Sequence, residues 1–249
     1  MNASPEQQRG SSAAGQFPPT LWSVVLAAGD SGSNGAREAL ERLCRSYWYP
    51  LYAFTRRQGK SPEDAEDLTQ GFFQRLLERE ALAKAAPERG RFRSFLLASL
   101  KNYIRDEWDK TRAVKRGSGQ APLGFDDLNA EERYRSEPID PADPEKLFER
   151  SWAMMLIDRV LARLEKEFTA NGKSERFEAL HPYLLEEPDG GAYAGVGQRL
   201  AMSTGAVRVA VLRLRERYRE LVWLEIAETV ADEDNVEEEV RHLMSVLGG

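Results

Sequence analysis

The sequence predicts an all-α protein in which a flexible acidic linker joins two helical domains. Apolar residues recur at helical spacing over residues 61–78 and 93–110, and again over 193–218. Between these parts, residues 117–143 lack periodicity and are rich in proline and acidic residues, which is typical of an interdomain linker. No segment shows the alternating pattern of a strand, so we expect no sheet.

The composition excludes several classes of protein. The longest apolar runs fall short of the roughly 18 residues that a membrane-spanning helix needs, so we expect no membrane insertion. The single cysteine, Cys44, cannot form an internal disulfide, which favours a cytoplasmic location. His181, His242 and this cysteine assemble no familiar zinc set. Without a paired nucleophile or a phosphate-binding loop, the sequence predicts neither an enzyme nor a cofactor site.

Charge is strongly segregated along the chain, although the net charge is only −6. Residues 89–116 carry nine basic and three acidic side chains, and residues 199–219 carry six arginines and one glutamate. Residues 225–239 carry eight acidic side chains and no basic one. Because salt screens charges beyond about 8 Å at physiological ionic strength, these local fields matter more than the total.

The first helical part is predicted to begin after a disordered tail over residues 1–19. Short helices are expected over 21–28 and 36–58, the second with an aromatic run between Tyr47 and Phe54 that we assign to the core. Ser61 then caps a helix that carries acids in its first turn. One face of this helix is apolar, and the opposite face suits a basic partner surface or is simply solvated: Glu63, Asp67, Gln70 and Gln74.

The next helix combines cations with an aromatic side chain beside its apolar stripe. Lys101, Arg105, Trp108 and Arg112 lie close together on a helical wheel. Cations bind phosphate, and an aromatic ring can stack on an unpaired base. Asn102 and Asp106 flank this group and can contact base edges. The alternative is a solvated basic face in which Trp108 covers the core.

Residues 193–218 read as a helix-turn-helix. The turn contains Ser203 and Thr204, either of which can cap a second helix that places its first residues in the DNA major groove. Thr204 and Arg208 are candidates for base or phosphate contacts, and the arginines that follow are candidates for phosphate contacts: Arg213, Arg215 and Arg217. The alternative is an ordinary helical hairpin with arginines for solubility.

An extra amphipathic helix is predicted after the acidic run, from the spacing of Val236, Val240, Leu243 and Leu247. One hypothesis is that the acidic tail shields the arginines of the helix-turn-helix. The alternative is that this helix packs on its own domain and leaves its acids in solvent.

In this order, the motifs resemble the extracytoplasmic-function (ECF) group of bacterial sigma-70-type sigma factors. The run from Pro62 to Gln70 resembles their region 2.2. Phe95 to Asn102, followed by Asp106, is similar to regions 2.3 and 2.4, and Tyr193 to Tyr218 is similar to region 4.2. The resemblance covers about residues 39–116 and 152–224. It implies a sigma region 2-like bundle and a sigma region 4-like helix-turn-helix domain.

The resemblance also implies the partners: core RNA polymerase and promoter DNA. The clamp coiled coil of the β′ subunit would meet Glu63, Asp64, Glu66, Asp67, Leu68, Gln70 and Gln74. The melted −10 element would meet Lys101, Asn102, Arg105, Asp106, Trp108 and Arg112. The −35 duplex would meet Ser203, Thr204, Arg208, Arg213, Arg215 and Arg217, while region 4 also touches the β flap. Such families commonly have an anti-sigma partner, although no residue here identifies one.

The domain boundaries follow from these assignments: a tail over 1–19, the region 2-like domain over 20–116, the linker over 117–143, the region 4-like domain over 144–227, and the C-terminal extension over 228–249. The stretch from Gly124 to Leu128 is expected to thread toward the polymerase active-site cleft. In the recognition helix, Val209 and Ala210 stand where the family often has Ser-Arg, which removes one expected DNA-contacting arginine. Gly197 and Ala201 replace the usual alanine and turn glycine, a change expected to cost little.

The sequence therefore predicts a cytoplasmic transcription initiation factor that directs polymerase to promoters. The main alternative is a stand-alone helix-turn-helix regulator, which would need no acidic docking helix and would normally dimerise. An adaptor that uses its helices for protein contacts alone is a second alternative.

Overall fold

The computed structural model describes residues 34–76, 91–113, 130–136, 143–185, 191–230 and 235–248. Within these ranges the chain forms helices and no strand, which confirms the all-α prediction. The predicted tail, the helix over 21–28 and the stretch from Gly124 to Leu128 lie outside them. The α-helices are α1 (Asn34–Arg57), α2 (Pro62–Leu76), α3 (Phe92–Ala113), α4 (Ala130–Ser136), α5 (Pro144–Ala170), α6 (Ser174–Leu180), α7 (Ala192–Arg199), α8 (Thr204–Ala227) and α9 (Val236–Gly248).

The predicted helix starts agree with the structure where capping is encoded locally. The Ser61 side-chain oxygen accepts a hydrogen bond from the Asp64 backbone amide at 3.1 Å, as a capping residue does at the start of α2. Asp143 caps α5 in the same way through the Glu145 amide. Helix α9 lies where the C-terminal helix was predicted, with Val236 and Leu243 buried and Val240 partly buried, whereas Leu247 of the predicted apolar stripe is exposed.

A large apolar core runs through α1 to α3 and α5 to α9, and a small second cluster joins α1 and α2 to α4 through Tyr49, Tyr52, Ala53, Ala65 and Ala130. The aromatic run of α1 is buried as predicted, and Tyr47 lies 5.7 Å from Phe92 of α3, ring centre to ring centre. Helix α1 packs along α5 and α2, and α5 in turn contacts α8 and α9. The two predicted domains therefore share a core in this structure, mainly through the contact of α1 with α5. Their division into separate domains stays a prediction.

A short helix, α4, lies inside the segment that was predicted to be a structureless linker. Its Glu131 carboxylate accepts hydrogen bonds from the Tyr52 hydroxyl at 2.7 Å and from Arg56 Nε at 2.9 Å, both on α1. Arg133 lies 4.0 Å above the Tyr49 ring. Seven residues are too few to form a stable helix alone, so these tertiary contacts hold α4 in place. Such contacts leave no periodic signal in the sequence.

The pH dependence of stability tests the contacts of Glu131 with α1. Arg56 lowers the pKa of Glu131 from its ordinary value of 4.5 to about 2. The folded state then binds the proton less readily than the unfolded state, so the stabilisation is complete above pH 4.5 and is lost as the pH falls toward 2. We expect Glu131→Gln to lower the free energy of unfolding by about 2 kcal/mol at pH 7. The difference from wild type should shrink below pH 4.5.

Urea unfolding from pH 3 to 7 measures both effects. Glu132→Gln, an exposed change on the same helix, is the matched control and should stay within about 0.5 kcal/mol of wild type. Equal stability of Glu131→Gln and wild type at pH 7 would show that the contacts of Glu131 with α1 do not stabilise the fold.

Helices α7 and α8 lie where the helix-turn-helix was predicted, and two residues shape the turn between them. A side chain on Gly197 would place its Cβ atom 2.6 Å from the Met202 carbonyl oxygen, so only glycine fits there. Ala201 has a φ of +52°, in the left-handed region that disfavours residues with a Cβ atom. We expected little loss of stability from having glycine at position 197 and alanine at position 201. The structure shows instead that position 197 requires glycine and that Ala201 is strained.

We expect Ala201→Gly to stabilise the protein by about 0.5–1 kcal/mol, because relief of the left-handed strain outweighs the added freedom of the unfolded chain. Chemical denaturation measures the change. Ala194→Gly, at an exposed helical position of α7, is the matched control and should destabilise by about 0.5–1 kcal/mol. Destabilisation by both variants would contradict the strain argument.

Candidate nucleic-acid and protein interfaces

The docking surface predicted on α2 consists of Glu63, Asp64, Glu66, Asp67, Leu68, Gln70 and Gln74. Glu63, Asp64 and Asp67 are exposed, and the other four are partly exposed. On the opposite side, Ala65, Phe72 and Leu76 are buried as the helical wheel predicted. The structure thus gathers the predicted residues on the outer part of one helix, where they can meet a partner.

The charge of this surface has a local cause. Glu63 and Asp64 lie in the first turn of α2, where the helix dipole stabilises negative charge. Gln70 donates a hydrogen bond to the Glu66 carboxylate at 3.4 Å, which connects successive turns. The surface is therefore an ordered anionic face that suits cationic side chains of a partner.

The packing of α2 on α3 sets the spacing between the docking surface and the basic helix. A Cβ atom at Gly71 would clash with the Tyr103 hydroxyl, so the glycine allows Tyr103 to lie against α2. The rings of Phe72 and Tyr103 are 6.1 Å apart, and Arg75 of α2 pairs with Asp106 of α3 at 3.0 Å. Burial raises the pKa of Tyr103 to about 12, so this hydroxyl stays protonated at neutral pH.

The strand-binding residues predicted on α3 divide into two groups. Asn102, Arg105 and Trp108 are exposed together, and Trp108 retains 54% of its surface. Arg105 donates to the Asn102 side-chain oxygen at 2.7 Å, which orients both. Asp106 and Lys101, in contrast, contact other helices: Asp106 accepts from Arg75, and Lys101 pairs with Glu145 of α5. The side chain of Arg112 lies outside the described residues.

One residue beside this face was missed by the sequence analysis. The Lys60 ammonium lies 4.7 Å above the Trp108 ring and comes from the turn between α1 and α2. Gly59 shapes this turn with a φ of +80°. Helical periodicity gives no information about such a turn. Lys60 and Trp108 are also 48 positions apart in the sequence, so their proximity is not evident from it. The pair places a cation beside an exposed aromatic ring, the combination that unpaired nucleic acid contacts.

At the start of α8, the predicted duplex-binding residues have different roles. The Ser203 side chain caps the helix by accepting from the Ala206 amide at 3.2 Å. Thr204, Arg208 and Arg213 are exposed, and the Arg208 guanidinium lies 5.9 Å from the Tyr193 ring centre. The first two turns of α8 thus present one polar and one cationic side chain outward, as a recognition helix requires.

Arg215 and Arg217 make contacts within the protein. Arg215 donates to the Tyr183 carbonyl at 2.9 Å. Arg217 binds both oxygens of Glu167 on α5, at 2.7 and 2.8 Å, and also pairs with Glu220 at 2.8 Å. Arg217 accordingly lowers the pKa of Glu167. These bonds favour a structural role for both arginines, whereas Arg219, which the sequence analysis did not select, is exposed.

Ala210, which stands where the family often has an arginine, has a structural explanation. Ala210 is 4% exposed and faces the core, so it does not lie on the outer face of α8. Val209 and Leu212 lie on that outer face and are about half exposed. Helix α8 therefore presents aliphatic surface between Arg208 and Arg213.

Among the described residues of the acidic run over 225–239, the ion pairs form away from the outer face of α8. Glu225, near the end of α8 itself, pairs with Arg159 at 2.8 Å and with Arg163 at 3.5 Å, both on α5. Glu238 pairs with Arg91, the residue before α3, at 2.6 Å. These pairs do not support the shielding hypothesis. They agree better with the alternative that the C-terminal helix packs on the protein. That alternative left the acids in solvent, whereas these acids form ion pairs.

Other kinds of site find no support in the part of the chain that the structure describes. No cluster of three or more potential metal ligands occurs among the described residues. No helix within the described ranges is long and apolar enough to cross a membrane.

A family model described as Sigma-70 region 2 matches residues 43–114. The match covers most of α1 and all of α2 and α3, and it supports a sigma-70-type sigma factor. Factors of that family initiate transcription without being enzymes, and they bind core RNA polymerase and promoter DNA. Comparisons with curated proteins and with solved structures found no match.

Proposed function

We propose that this chain is an RNA polymerase sigma factor of ECF type, which binds core polymerase and directs it to specific promoters. The main support is the match of residues 43–114 to Sigma-70 region 2, together with the arrangement of α2 and α3 within those residues. One helix presents an anionic face, and its neighbour presents cations and an exposed aromatic ring. A stand-alone helix-turn-helix regulator has no use for the first of these surfaces.

The docking surface on α2 is proposed to bind the clamp coiled coil of the β′ subunit. Three of its acids are exposed, and the buried side of the same helix holds it rigidly on the core. Complementary charges accelerate association and select the partner more than they add to affinity. The contact with α3 then sets where the strand-binding face lies relative to polymerase.

The −10 element is proposed to bind across Asn102, Arg105 and Trp108, with Lys60 beside the ring. An unpaired base can stack on Trp108, a contribution of about 1–3 kcal/mol in comparable sites. Arg105 and Lys60 supply positive charge for the adjacent phosphates. Asp106 orients Arg75 and is assigned a positioning role.

The −35 duplex is proposed to bind the outer face of α8. Thr204 and Arg208 come first, followed by Arg213 and Arg219 toward the backbone of the groove. Ser203 contributes by capping the helix. We assign Arg215 and Arg217 to the stability of the domain, because their donors are engaged within the protein.

Substitution of the docking surface separates the sigma factor from its main alternative. Asp67→Ala combined with Gln70→Ala should weaken binding to core polymerase by about tenfold or more, because each contact residue in such an interface contributes on the order of 1 kcal/mol. Binding to duplex promoter DNA should not change. Fluorescence anisotropy with labelled protein and core enzyme measures the first quantity, and a gel shift measures the second.

The matched control is Gln58→Ala combined with Glu165→Ala, which removes one exposed amide and one exposed acid elsewhere. It should bind core polymerase as wild type does. If wild-type protein binds duplex DNA but shows no affinity for core polymerase, the stand-alone regulator is the better description.

The salt dependence of duplex binding tests the division among the arginines. If Arg208, Arg213 and Arg219 contact phosphates, log K against log salt should have a slope of about −2.7, which is a loss of about 40-fold between 50 and 200 mM salt. Arg213→Ala should make the slope less steep by about 0.9. Arg217→Ala should leave the slope unchanged and lower the free energy of unfolding by about 1 kcal/mol.

The two variants are matched, since each removes one arginine from the same helix. Titration of duplex DNA at several salt concentrations and urea unfolding give the two readouts. A slope that changes with Arg217→Ala and not with Arg213→Ala would reverse our assignment.

A further inference from the structure

A row of cations on α3 and at the residue before it contacts a row of acids from α5 and α9, and we call this contact the acid–base seam. Its cations are Arg91, Arg93 and Lys101, and its acids are Glu145, Glu149, Glu238 and Glu239. Arg91 pairs with Glu238 and Glu239, Arg93 with Glu149 and Glu239, and Lys101 with Glu145. Each cation of the seam thus meets at least one carboxylate from a distant part of the chain.

One end of the seam is buried. Arg93 is 2% exposed and Glu239 is 1% exposed. Arg93 also binds Glu149 at 2.6 Å and lies 4.2 Å above the Trp152 ring, and Glu149 in turn contacts His242 Nε2 at 2.9 Å. Breaking a buried ion pair leaves an uncompensated charge, which is strongly unfavourable. The buried end therefore anchors α9 and α5 to α3.

The other end of the seam is open to solvent. The Lys101 and Glu145 side chains retain 39% and 55% of their surface, and they line a groove together with Ser94, Leu97 and Ser245. An exposed pair of this kind contributes only a factor of about 1.4 to 5 to an equilibrium. An anionic ligand of moderate affinity can therefore displace Glu145 while the buried end stays closed.

We propose that Glu145 is an intramolecular competitor of single-stranded DNA for Lys101, so that the seam partly closes the strand-binding face in the free protein. The inference rests on the proposed function, because it takes α3 as the helix that binds the melted strand. A carboxylate and a phosphate offer the same kind of anionic oxygen to an ammonium group. Strand binding then opens the exposed end of the seam, and the buried Arg93–Glu239 end limits how far α5 moves.

The first test is the affinity of the full chain for a fluorescein-labelled, random-sequence single-stranded DNA at low salt. Glu145→Gln should bind about two- to fivefold more tightly than Glu165→Gln, which removes the same charge from an exposed position of α5. The gain should vanish when Lys101→Gln is present in both variants, since the competition acts through Lys101. Equal affinity of Glu145→Gln and Glu165→Gln would overturn the proposal.

The second test detects the closed seam without relying on DNA affinity. A zero-length carbodiimide joins an amine to a carboxylate only when they are in contact, so the free protein should yield a cross-link between Lys101 and Glu145 that mass spectrometry identifies. Saturating single-stranded DNA should reduce its yield several-fold. Absence of the cross-link in free protein, or a yield that bound DNA does not change, would overturn the proposal. If the cross-link forms but neither wild type nor any variant binds the strand, α3 does not bind single-stranded DNA. That result would contradict the proposed function of α3 and, as a consequence, the competition by Glu145.

Discussion

The packing of α1 on α5 is the constraint on which the rest of the structure depends. Tyr47 of α1 is completely buried, lies against Phe92 of α3, and has a pKa raised to about 12 chiefly by that burial. Trp152 of α5 is buried in the same core. Because α2 and α3 pack around α1, and α8 and α9 pack around α5, this one contact joins the region that matches Sigma-70 region 2 to the helices that follow it in the chain. The positions of both candidate interfaces follow from it.

Ion pairs in this protein differ in what they can do because they differ in burial. Arg93 and Glu239 are removed from water, so separating them is costly, and they act as fixed structure. Arg217 and Glu167 are partly exposed, and their two parallel hydrogen bonds hold α8 to α5 with a moderate contribution. Lys101 and Glu145 are exposed and can exchange partners. The same residue types thus form a fixed buried pair, a partly exposed pair that stabilises helix packing, and an exposed pair that can exchange partners.

Local signals predicted the helices well, since they depend on neighbouring residues. The cap at Ser61 was evident from its residue type, and the apolar side of α2 was evident from helical spacing. Contacts between distant residues were not: Arg93 and Glu239 are 146 positions apart, and Glu131 reaches α1 from a segment that has linker composition. The functions of individual arginines depend on such contacts. For this reason the sequence did not distinguish Arg213, which faces solvent, from Arg217, which faces Glu167.

The tight fit between Gly71 and Tyr103 has a consequence for how this protein can evolve. A methyl group at position 71 would clash with the Tyr103 hydroxyl oxygen, so either the Tyr103 side chain would turn away from α2 or α3 would shift. Because the Tyr103 ring also packs on Phe72, either response changes the contact between the two helices. Position 71 therefore constrains the spacing of the two candidate interfaces.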